Sequence, residues 1–413
     1  SPILTRTCQG KVQAVSTFST PWHESEIARY LASKQGQASW RTQGEDTFFL
    51  TSQIWRNTGW NHTVTVQRPT GQTHPHRALL EITGGPANPY DLGRTAALAQ
   101  RSGLTVITLF DVPNQPWQGM IEDDLIAHTL SQRFTTGETD WPLLFPMTQS
   151  VIAAMDAVVD LTGGEIREFI VTGASKRGWT TWLAAATQDP RILAAVPRVY
   201  DNLDLPAQVS RQIELWGQLS PMLDDYSRRA LHELATTPEG KALAALVDPI
   251  QFLDRLQVPI VMVHGANDRF WAPDSTLLYW DRLPAGTQCL VYPNSGHGVG
   301  HSCLDSAPFS QLLRGLNGAF PLPDPEWTAS PLGIGFCCSS RARSAQLWRA
   351  RAPQNHVWES LWEPVGQERE CLEAAWTLHA GSEPAAYLVQ VTFDPIPGET
   401  CVLTSPVVLV GAD

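Results

Sequence analysis

A short strand that runs into a serine and then into a helix is the feature that most constrains this chain. Residues 168–171 have the β-branched and aromatic content of a short buried strand, and residues 179–186 favour a helix. Ser175 lies at the turn between them, and Gly173 precedes it by two residues. A serine in such a turn has a strained backbone, and the helix N-terminus behind it stabilises a developing anion. The segment predicts an α/β sheet with Ser175 as a nucleophile; the alternative is an ordinary N-cap serine.

The residues after the serine depart from the usual spacing of such a turn. The common pattern is Gly-x-Ser-x-Gly, whereas Arg177 occupies the last position here and Gly178 follows one residue later. Gly-x-Ser also occurs in ordinary turns. The prediction therefore depends on finding an acid and a histidine elsewhere in the chain.

An acid and a histidine follow Ser175 in the chain, each just after an apolar segment. Residues 259–265 read as a strand, and Asp268 lies in the loop behind it; residues 288–292 read as the next strand, followed by His297. The order serine, aspartate, histidine is that of the α/β-hydrolases. An imidazole must take the serine proton, and a carboxylate must orient that imidazole. The pattern predicts a catalytic triad.

Two further residues offer alternatives to this triad. Asp274 is a rival acid; we prefer Asp268 because it is nearer the strand end, and we expect Asp274 to cap a helix that begins near Ser275. His301 lies four residues after His297, as metal ligands on a helix would, but the two glycines between them argue against a helix. We expect no metal and no cofactor.

The anion formed during acyl transfer needs two hydrogen-bond donors. The backbone N–H of Lys176 is the first candidate. A Ser-Lys pair is disfavoured, because adjacent helical residues do not face one another. The second donor usually comes from the loop after the third strand of the sheet, here after residues 78–83, and Gly85 is the candidate because Pro86 has no N–H. A glycine pair before proline is also simply a tight turn.

A set of segments along the chain carries a family resemblance: residues 50–55, 84–85, 145–147, 173–182, 248–249, 265–271 and 293–297. Together these segments, over most of residues 20 to 320, resemble the PhoPQ-activated pathogenicity-related protein family, a group of secreted or exported α/β-hydrolases. The resemblance implies the same fold and the same triad positions, Ser175, Asp268 and His297. It leaves the substrate open.

Charge and hydropathy limit the partners and the location that we expect. The net charge of −12 argues against nucleic acid or anionic lipid as a partner. No apolar run approaches the roughly 20 residues of a membrane span. The chain begins at Ser1 without a methionine or an apolar leader, so we expect a leader to have been removed and the protein to be secreted or periplasmic.

Seven cysteines are spread along the chain without a C-x-x-C motif. Four of them follow residue 330, where disulfides would suit the expected oxidising compartment, and the odd total leaves at least one cysteine unpaired. Cys289 and Cys303 flank the loop of His297, and a bridge between them would hold that loop.

Alternating strand and helix patterns run from about residue 46 to 320, so we predict a catalytic domain over residues 1–320. Residues 204–256 read as helices and predict a cap, which we interpret as a lid over the active site. Residues 321–413 contain short strands separated by turn residues, which predicts a small β-sandwich module.

The sequence constrains the substrate less than it constrains the fold or the triad. Trp271 follows the acid loop and is a candidate pocket residue, whereas Asp201, Asp204 and Glu122 follow strands and are candidates for binding a substrate amine. Helix caps and surface acids are the alternative for each. We predict a serine hydrolase acting on peptides in an aminopeptidase-like manner; the alternatives are an ester hydrolase and a secreted signalling or binding protein.

Overall fold

The computed structural model of the protein describes residues 21–379 and 381–411. These residues form two compact units. The serine unit comprises residues 21–200 and 221–258 and contains Ser175. The histidine unit comprises residues 201–220, 259–379 and 381–411 and contains Asp268 and His297.

Strands run through both units. In chain order they are β1 (Ser39–Gly44), β2 (Thr47–Trp55), β3 (Thr58–Gln67), β4 (Arg77–Ile82), β5 (Thr105–Leu109), β6 (Glu168–Ala174), β7 (Ile192–Arg198), β8 (Val261–Gly265), β9 (Gln288–Tyr292), β10 (Glu326–Ser330), β11 (Gly333–Arg351), β12 (Glu363–Thr377), β13 (Ala385–Phe393), β14 (Cys401–Thr404) and β15 (Val408–Val410).

Helices occur in both units, and in the serine unit they separate the strands from β4 onward. The α-helices are α1 (Glu26–Ser33), α2 (Pro89–Ser102), α3 (Glu122–Thr136), α4 (Leu144–Leu161), α5 (Lys176–Ala186), α6 (Leu205–Trp216), α7 (Asp224–Ser227), α8 (Leu231–Leu234), α9 (Pro238–Ala245), α10 (Val299–Ser302) and α11 (Ala307–Leu316). Short 3₁₀ helices cover Trp22–Glu24, Pro221–Leu223, Pro249–Arg255, Ser275–Leu278, Trp280–Arg282, Cys303–Asp305 and Pro353–Asn355.

The serine unit is built on a mixed sheet with the strand order β1-β2-β3-β5-β4-β6-β7. The first three strands pair antiparallel, whereas β5, β4, β6 and β7 run parallel. Burial on both faces suits the apolar sequences of β4, β5 and β6. Because parallel strands end at one edge of the sheet, the loops after them meet there. The α/β fold predicted from the sequence is confirmed.

Local signals fix the ends of the helices that flank this sheet. Helix α2 begins after Asn88, whose side chain accepts a hydrogen bond from the Asp91 amide at 3.0 Å, and it ends at Gly103 with a φ of 69°. Helix α5 packs on β6 and β7, and all of its residues are buried. The helix that follows Ser175 is therefore a core element of the unit.

Helix α4 is the one described helix whose length and apolar composition would suit a membrane span. Its mean hydropathy is 1.3, and 72% of it is buried inside the protein. The core helix of a folded protein is buried to a similar extent. Helix α4 packs against β2 and α5 within the serine unit.

The histidine unit carries a second set of paired strands, ordered β8-β9-β14-β13-β11-β10. Strands β8 and β9 are parallel, and the others pair antiparallel, with β12 on β11 and β15 on β13. Strand β14 joins β9 at the Thr404 and Cys289 pair. The strands predicted beyond residue 321 are thus present and hydrogen-bonded to the strand before His297. A separate domain ending at residue 320 stays a prediction.

The predicted cap segment is helical, and its parts belong to different units. Helix α6 lies in the histidine unit, whereas α7, α8, α9 and the 3₁₀ helix Pro249–Arg255 lie in the serine unit. In the serine unit, α7 is fixed to the start of α3, because the Tyr226 hydroxyl donates to Asp123 at 3.0 Å and Arg229 bonds Asp124 at 2.6 Å. Movement of these helices as a lid stays a prediction.

Candidate active site

Ser175 occupies the turn between β6 and α5, as predicted. Its backbone has a φ of 58° and a ψ of −123°, a conformation that non-glycine residues rarely adopt. The Ser175 amide donates to the carbonyl oxygen of Arg198 on β7 at 2.8 Å. Gly178 is needed at its position, because a Cβ there would lie 2.7 Å from the same carbonyl oxygen. The displaced glycine therefore lets α5 approach β7 closely and support the strained serine.

Arg177 stands where a glycine is usual, and its side chain explains the departure. Its Nε donates to the Val112 carbonyl at 2.6 Å, and its two terminal nitrogens bond the two oxygens of Glu122 at 2.8 and 2.6 Å. The guanidinium also lies against Gly84, where an added Cβ would meet it at 1.8 Å. A bidentate arginine-carboxylate pair is a rigid connection. Arg177 thus joins the serine turn to the loop that carries Gly85.

Glu122 is held by two cations rather than left open to a ligand. Besides Arg177, the ammonium of Lys176 lies 2.7 Å from Glu122 and 3.2 Å from Asp123. Burial raises the pKa of Glu122, but hydrogen bonds and charge from Arg177 and the charge of Lys176 outweigh it and hold that pKa well below its usual range. The carboxylate predicted to bind a substrate amine is already neutralised within the serine unit.

A buried ion pair lies beneath the serine turn. Arg198 Nη2 lies 2.5 Å from Glu81 Oε1, and their side chains are 0% and 4% exposed. Glu81 is on β4 and Arg198 on β7, the two strands that flank β6. Since the Arg198 backbone carbonyl also holds Ser175, this pair stabilises the strand end on which the turn rests.

The two predicted oxyanion donors lie on the loops that the sheet places at its carboxyl edge. Lys176 is the first residue of α5, and the first amides of a helix have no partner within it. Gly85 lies in the exposed loop after β4, and its carbonyl accepts from the Asp111 amide at 3.1 Å. Donation from both amides to a substrate oxygen stays a prediction.

Asp268 and His297 contact one another in the histidine unit. Asp268 Oδ2 lies 2.7 Å from His297 Nδ1, and the other carboxylate oxygen accepts from the Phe270 amide at 2.9 Å. The Phe270 ring stacks on the imidazole at a centroid distance of 4.0 Å. Because a carboxylate only accepts hydrogen bonds, Nδ1 carries the proton, and Nε2 of the neutral ring is left as an acceptor.

The loops of this pair are joined directly through their backbones. The Asn267 amide donates to the Ser295 carbonyl at 2.9 Å. Gly265, at the end of β8, is required here, because a Cβ would lie 2.4 Å from the Ser295 oxygen. Adjacent parallel strands β8 and β9 therefore place the acid loop and the histidine loop side by side.

The alternatives to this pair are engaged elsewhere. Asp274 bonds Arg211 through both oxygens, at 3.2 and 2.6 Å. It stands at the start of the 3₁₀ helix Ser275–Leu278, but its side chain makes no capping hydrogen bond, so that part of the expectation was wrong. His301 lies in the short helix α10, although the neighbouring glycines argued against a helix.

A buried pocket behind the acid loop was missed by the sequence analysis. It is lined in part by Asp201, His264, Asp268 and Thr276. His264 is 4% exposed, and among the described residues neither ring nitrogen has a hydrogen-bond partner. Burial lowers the pKa of His264, opposed by the nearby Asp201 and Asp268. The apolar sequence of β8 gave no sign that its histidine faces two carboxylates.

The other predicted binding residues have structural partners. Asp201 accepts from Thr276 at 2.7 Å and Tyr279 at 2.6 Å, and burial raises its pKa. Asp204 caps α6 and lies 2.6 Å from an Arg282 nitrogen.

Trp271 lines the pocket behind the acid loop, and its ring centroid lies 6.4 Å from that of His297. It is 6% exposed. A contact of Trp271 with substrate stays a prediction.

The cysteines flanking the histidine loop are both buried. Cys289 lies on β9, and Cys303 donates from Sγ to the Gly300 carbonyl at 3.8 Å. Cys8 lies outside the described residues. The structure does not join the two sulfur atoms, so the predicted bridge between Cys289 and Cys303 is absent from the described residues.

The strand order of the serine unit, the strained serine after β6, and the later Asp-His pair define an α/β-hydrolase fold. The sequence profile of the PhoPQ-activated pathogenicity-related protein matches residues 23–356. This chain belongs to that family.

Individual proteins are similar over parts of the chain. Autocrine proliferation repressor protein A of Dictyostelium discoideum is 34% identical over 290 residues, which are 64% of this chain and 58% of that protein. The chain thus spans less than two thirds of the length of that relative. Among solved structures, an acetyl xylan esterase from Paenibacillus sp. R4 is 15% identical with a TM-score of 0.47, covering 74% of this chain and 96% of the other. The Pyrococcus horikoshii acylaminoacyl peptidase is 13% identical with a TM-score of 0.43, covering 69% of this chain and 42% of the other.

Proposed function

We propose that this protein is a serine hydrolase with Ser175, His297 and Asp268 as its catalytic triad. The observation that carries the proposal is the 2.7 Å hydrogen bond between Asp268 and His297, which fixes the imidazole with Nε2 as the proton acceptor. The strained backbone of Ser175 supports it, because such strain is typical of a functional residue. Family membership agrees with both.

The proposed reaction begins when Ser175 Oγ attacks an acyl carbon while His297 Nε2 takes the hydroxyl proton. The resulting oxyanion accepts hydrogen bonds from the amides of Lys176 and Gly85. As the bond to the leaving group breaks, His297 returns the proton to that group, and an acyl-serine remains. A water molecule then attacks the acyl carbon and gives a proton to His297. His297 passes that proton to Ser175 Oγ as the acyl-serine bond breaks, which releases the acid and the free serine. Asp268 stays ionised throughout and stabilises the imidazolium.

The class of acyl substrate is a separate part of the proposal. The aminopeptidase-like preference depended on an acid that could neutralise a substrate amine. Glu122, Asp201 and Asp204 each have cationic or hydroxyl partners within their own units. An aminopeptidase built on this site would need another group for that amine, so esters and blocked amides are substrates of equal interest.

A second candidate function is signalling by an exported protein. It is favoured by the similarity to the Dictyostelium discoideum relative, which is named an autocrine proliferation repressor. Native protein and Ser175→Ala protein added to Dictyostelium cultures would separate the two functions: equal repression by both supports binding, and repression by the native protein alone supports hydrolysis.

The first test is labelling by a fluorophosphonate probe, which reacts with an activated serine. We expect native protein to be labelled and both Ser175→Ala and His297→Ala to lose labelling. Ser302→Ala changes an exposed serine on α10 and is the matched control, expected to label as the native protein does. A folded native protein that the probe does not label would overturn the proposal.

The second test compares substrates that share one acyl group. The same acyl chain is offered as a p-nitrophenyl ester and as a p-nitroanilide, and an aminoacyl anilide is offered with a free and with a blocked amine. Faster cleavage with the free amine supports the aminopeptidase-like preference. Cleavage confined to the ester supports an ester hydrolase.

A further inference from the structure

One segment of the histidine unit touches both loops that carry the proposed acid and base. Residues 357–362, here called the clamp segment, lie between the 3₁₀ helix Pro353–Asn355 and β12. Asn267, in the acid loop, donates from Nδ2 to the carbonyls of Val357 at 2.5 Å and Ser360 at 2.8 Å. Both protons of this amide therefore go to the clamp segment.

The histidine loop is tied to the same segment by a second asparagine. Asn294 Nδ2 donates to the Trp362 carbonyl at 3.0 Å, and the Trp362 amide donates to Asn294 Oδ1 at 2.7 Å. Asn294 has a φ of 57°, a left-handed conformation that asparagine tolerates better than most residues. The side chain thus makes two reciprocal bonds from a backbone position that few residues would accept.

The clamp segment is itself anchored. Val357 and Trp362, at its two ends, are each 1% exposed. Asn267 directly precedes Asp268, and Asn294 precedes His297 by three residues. Each loop is therefore held within three residues of its proposed catalytic group by contacts with one segment whose two ends are buried.

We propose that Asn267 and Asn294 are positioning residues, which hold the acid loop and the histidine loop on the clamp segment and so keep Asp268 and His297 in register. The inference rests on the proposed function, since it assumes that these two residues act on Ser175. The match to the family profile ends at residue 356, so the clamp segment belongs to the part of the chain beyond it.

Near the strand ends, backbone hydrogen bonds run from Ala266 to Tyr292 at 3.0 Å and from Asn267 to Ser295 at 2.9 Å, and Gly265 lies against the histidine loop. The four amide bonds to the clamp segment act further out, around Asp268 and before His297. Misplacement of a reacting group by about 1 Å can cost about 100-fold in rate, so small movements of either loop matter.

Asn294→Gly is the decisive variant, because glycine accepts the positive φ and removes both side-chain bonds. Asn294→Asp keeps the acceptor for the Trp362 amide and loses the donor. Asn57→Gly is the matched control: Asn57 also has a positive φ of 61°, but it is exposed in the hairpin between β2 and β3 of the serine unit. We expect about a 10- to 100-fold slower fluorophosphonate labelling for Asn294→Gly, a smaller loss for Asn294→Asp, and the native rate for Asn57→Gly.

A spectroscopic measurement separates positioning from a general loss of stability. The proton shared by His297 Nδ1 and Asp268 should give a downfield proton resonance, assigned by its absence in His297→Ala. In folded Asn294→Gly, confirmed by thermal unfolding, we expect this signal to broaden or disappear, whereas Asn57→Gly should keep it.

The outcomes distinguish the two proposals. If the probe labels native protein, and Asn294→Gly is labelled at the native rate with an unchanged resonance, the positioning role of the asparagines is overturned. The proposed hydrolase function is then unaffected. If the probe does not label folded native protein, the proposed hydrolase function is overturned. An unchanged resonance in Asn294→Gly would then overturn the positioning role of the asparagines as well. If Asn294→Gly does not fold, Asn294→Asp is judged by the same two measurements.

Discussion

The serine unit and the histidine unit support their proposed catalytic residues in different ways. Around Ser175, the strand, the turn and the helix are consecutive in the chain, and Gly178 lies three residues away. Asp268 and His297 lie on separate loops, and their support comes from a segment 68 to 93 residues further along the chain.

The difference shows what a local pattern can and cannot specify. A strained serine turn needs a strand end, a helix start and small neighbours, all of which a short stretch of sequence supplies. Two separate loops are held by contacts between residues that are far apart in the chain. A local sequence pattern does not identify the distant partner of such a contact. The variants below test this contrast between local and distant support.

The largest effect is expected from the acid itself. Asp268→Asn should lower the fluorophosphonate labelling rate by about 10⁴-fold, because the amide no longer fixes the imidazole proton on Nδ1. Asp274→Asn is the matched control, since Asp274 bonds Arg211 instead; below its unfolding temperature it should label within a few-fold of the native rate. Equal losses in the two variants would contradict the assignment of Asp268.

The next effect compares one close approach in each unit. Gly178→Ala and Gly265→Ala would place a Cβ 2.7 and 2.4 Å from a backbone oxygen, so each should lower the free energy of unfolding by about 2–3 kcal/mol. Gly93→Ala, in α2, meets no atom within 4 Å and should raise it by up to about 1 kcal/mol. Urea unfolding measures the free energy of unfolding of all three variants. An unchanged value for Gly178→Ala would show that β7 shifts to accept the added Cβ and does not support the turn.

A smaller effect concerns a histidine in the serine unit. His62 is buried, with its ring bonded to the Phe110 carbonyl and the Ser52 hydroxyl, and burial lowers its pKa to about 4. As pH falls below about 6.5, the unfolded chain takes up the proton first, so the free energy of unfolding should fall by about 2 kcal/mol between pH 7 and pH 5.

Urea unfolding at the two pH values would measure this loss. His62→Gln should flatten the dependence, and replacement of the exposed His23 by Gln should leave it unchanged. A native dependence retained in His62→Gln would show that another group is responsible.

The smallest effect concerns the link between Arg177 and Glu122. Because the folded pKa of Glu122 is depressed, its contribution is present above the unfolded pKa of about 4.3 and is lost as pH falls further. With a side chain 35% exposed, the pair is partly screened, so Glu122→Gln should cost about 1 kcal/mol at pH 7 and clearly less at pH 3, since the contribution is lost completely only below the depressed folded pKa. Thermal unfolding at both pH values tests this, and an equal cost at the two pH values would contradict the ion-pair origin.

The sequence predicted the parts of the site that depend on local order. Strand β6, the helix after it, and the strands before Asp268 and His297 lie where the apolar and β-branched segments indicated. The preference for Asp268 over Asp274 agrees with the contact to His297.

The remaining contacts join residues far apart in the chain, and no local pattern marks them. Arg177 and Glu122 are 55 residues apart, and Asn267 and Val357 are 90 apart. A polar residue looks the same in sequence whether it meets water, a cation or a backbone carbonyl. For that reason Glu122 read as a candidate ligand, whereas Asn267 and Asn294 drew no attention.

The position of the clamp segment also bears on synthesis at the ribosome. A chain emerges N-terminal end first, at about 5–20 residues per second, so Ser175 and its turn leave the ribosome well before residues 357–362. Until those residues emerge, the nascent polypeptide contains Ser175 but lacks the segment that Asn267 and Asn294 contact. On the proposed function, we therefore expect the nascent chain to react more slowly until residues 357–362 have left the ribosome.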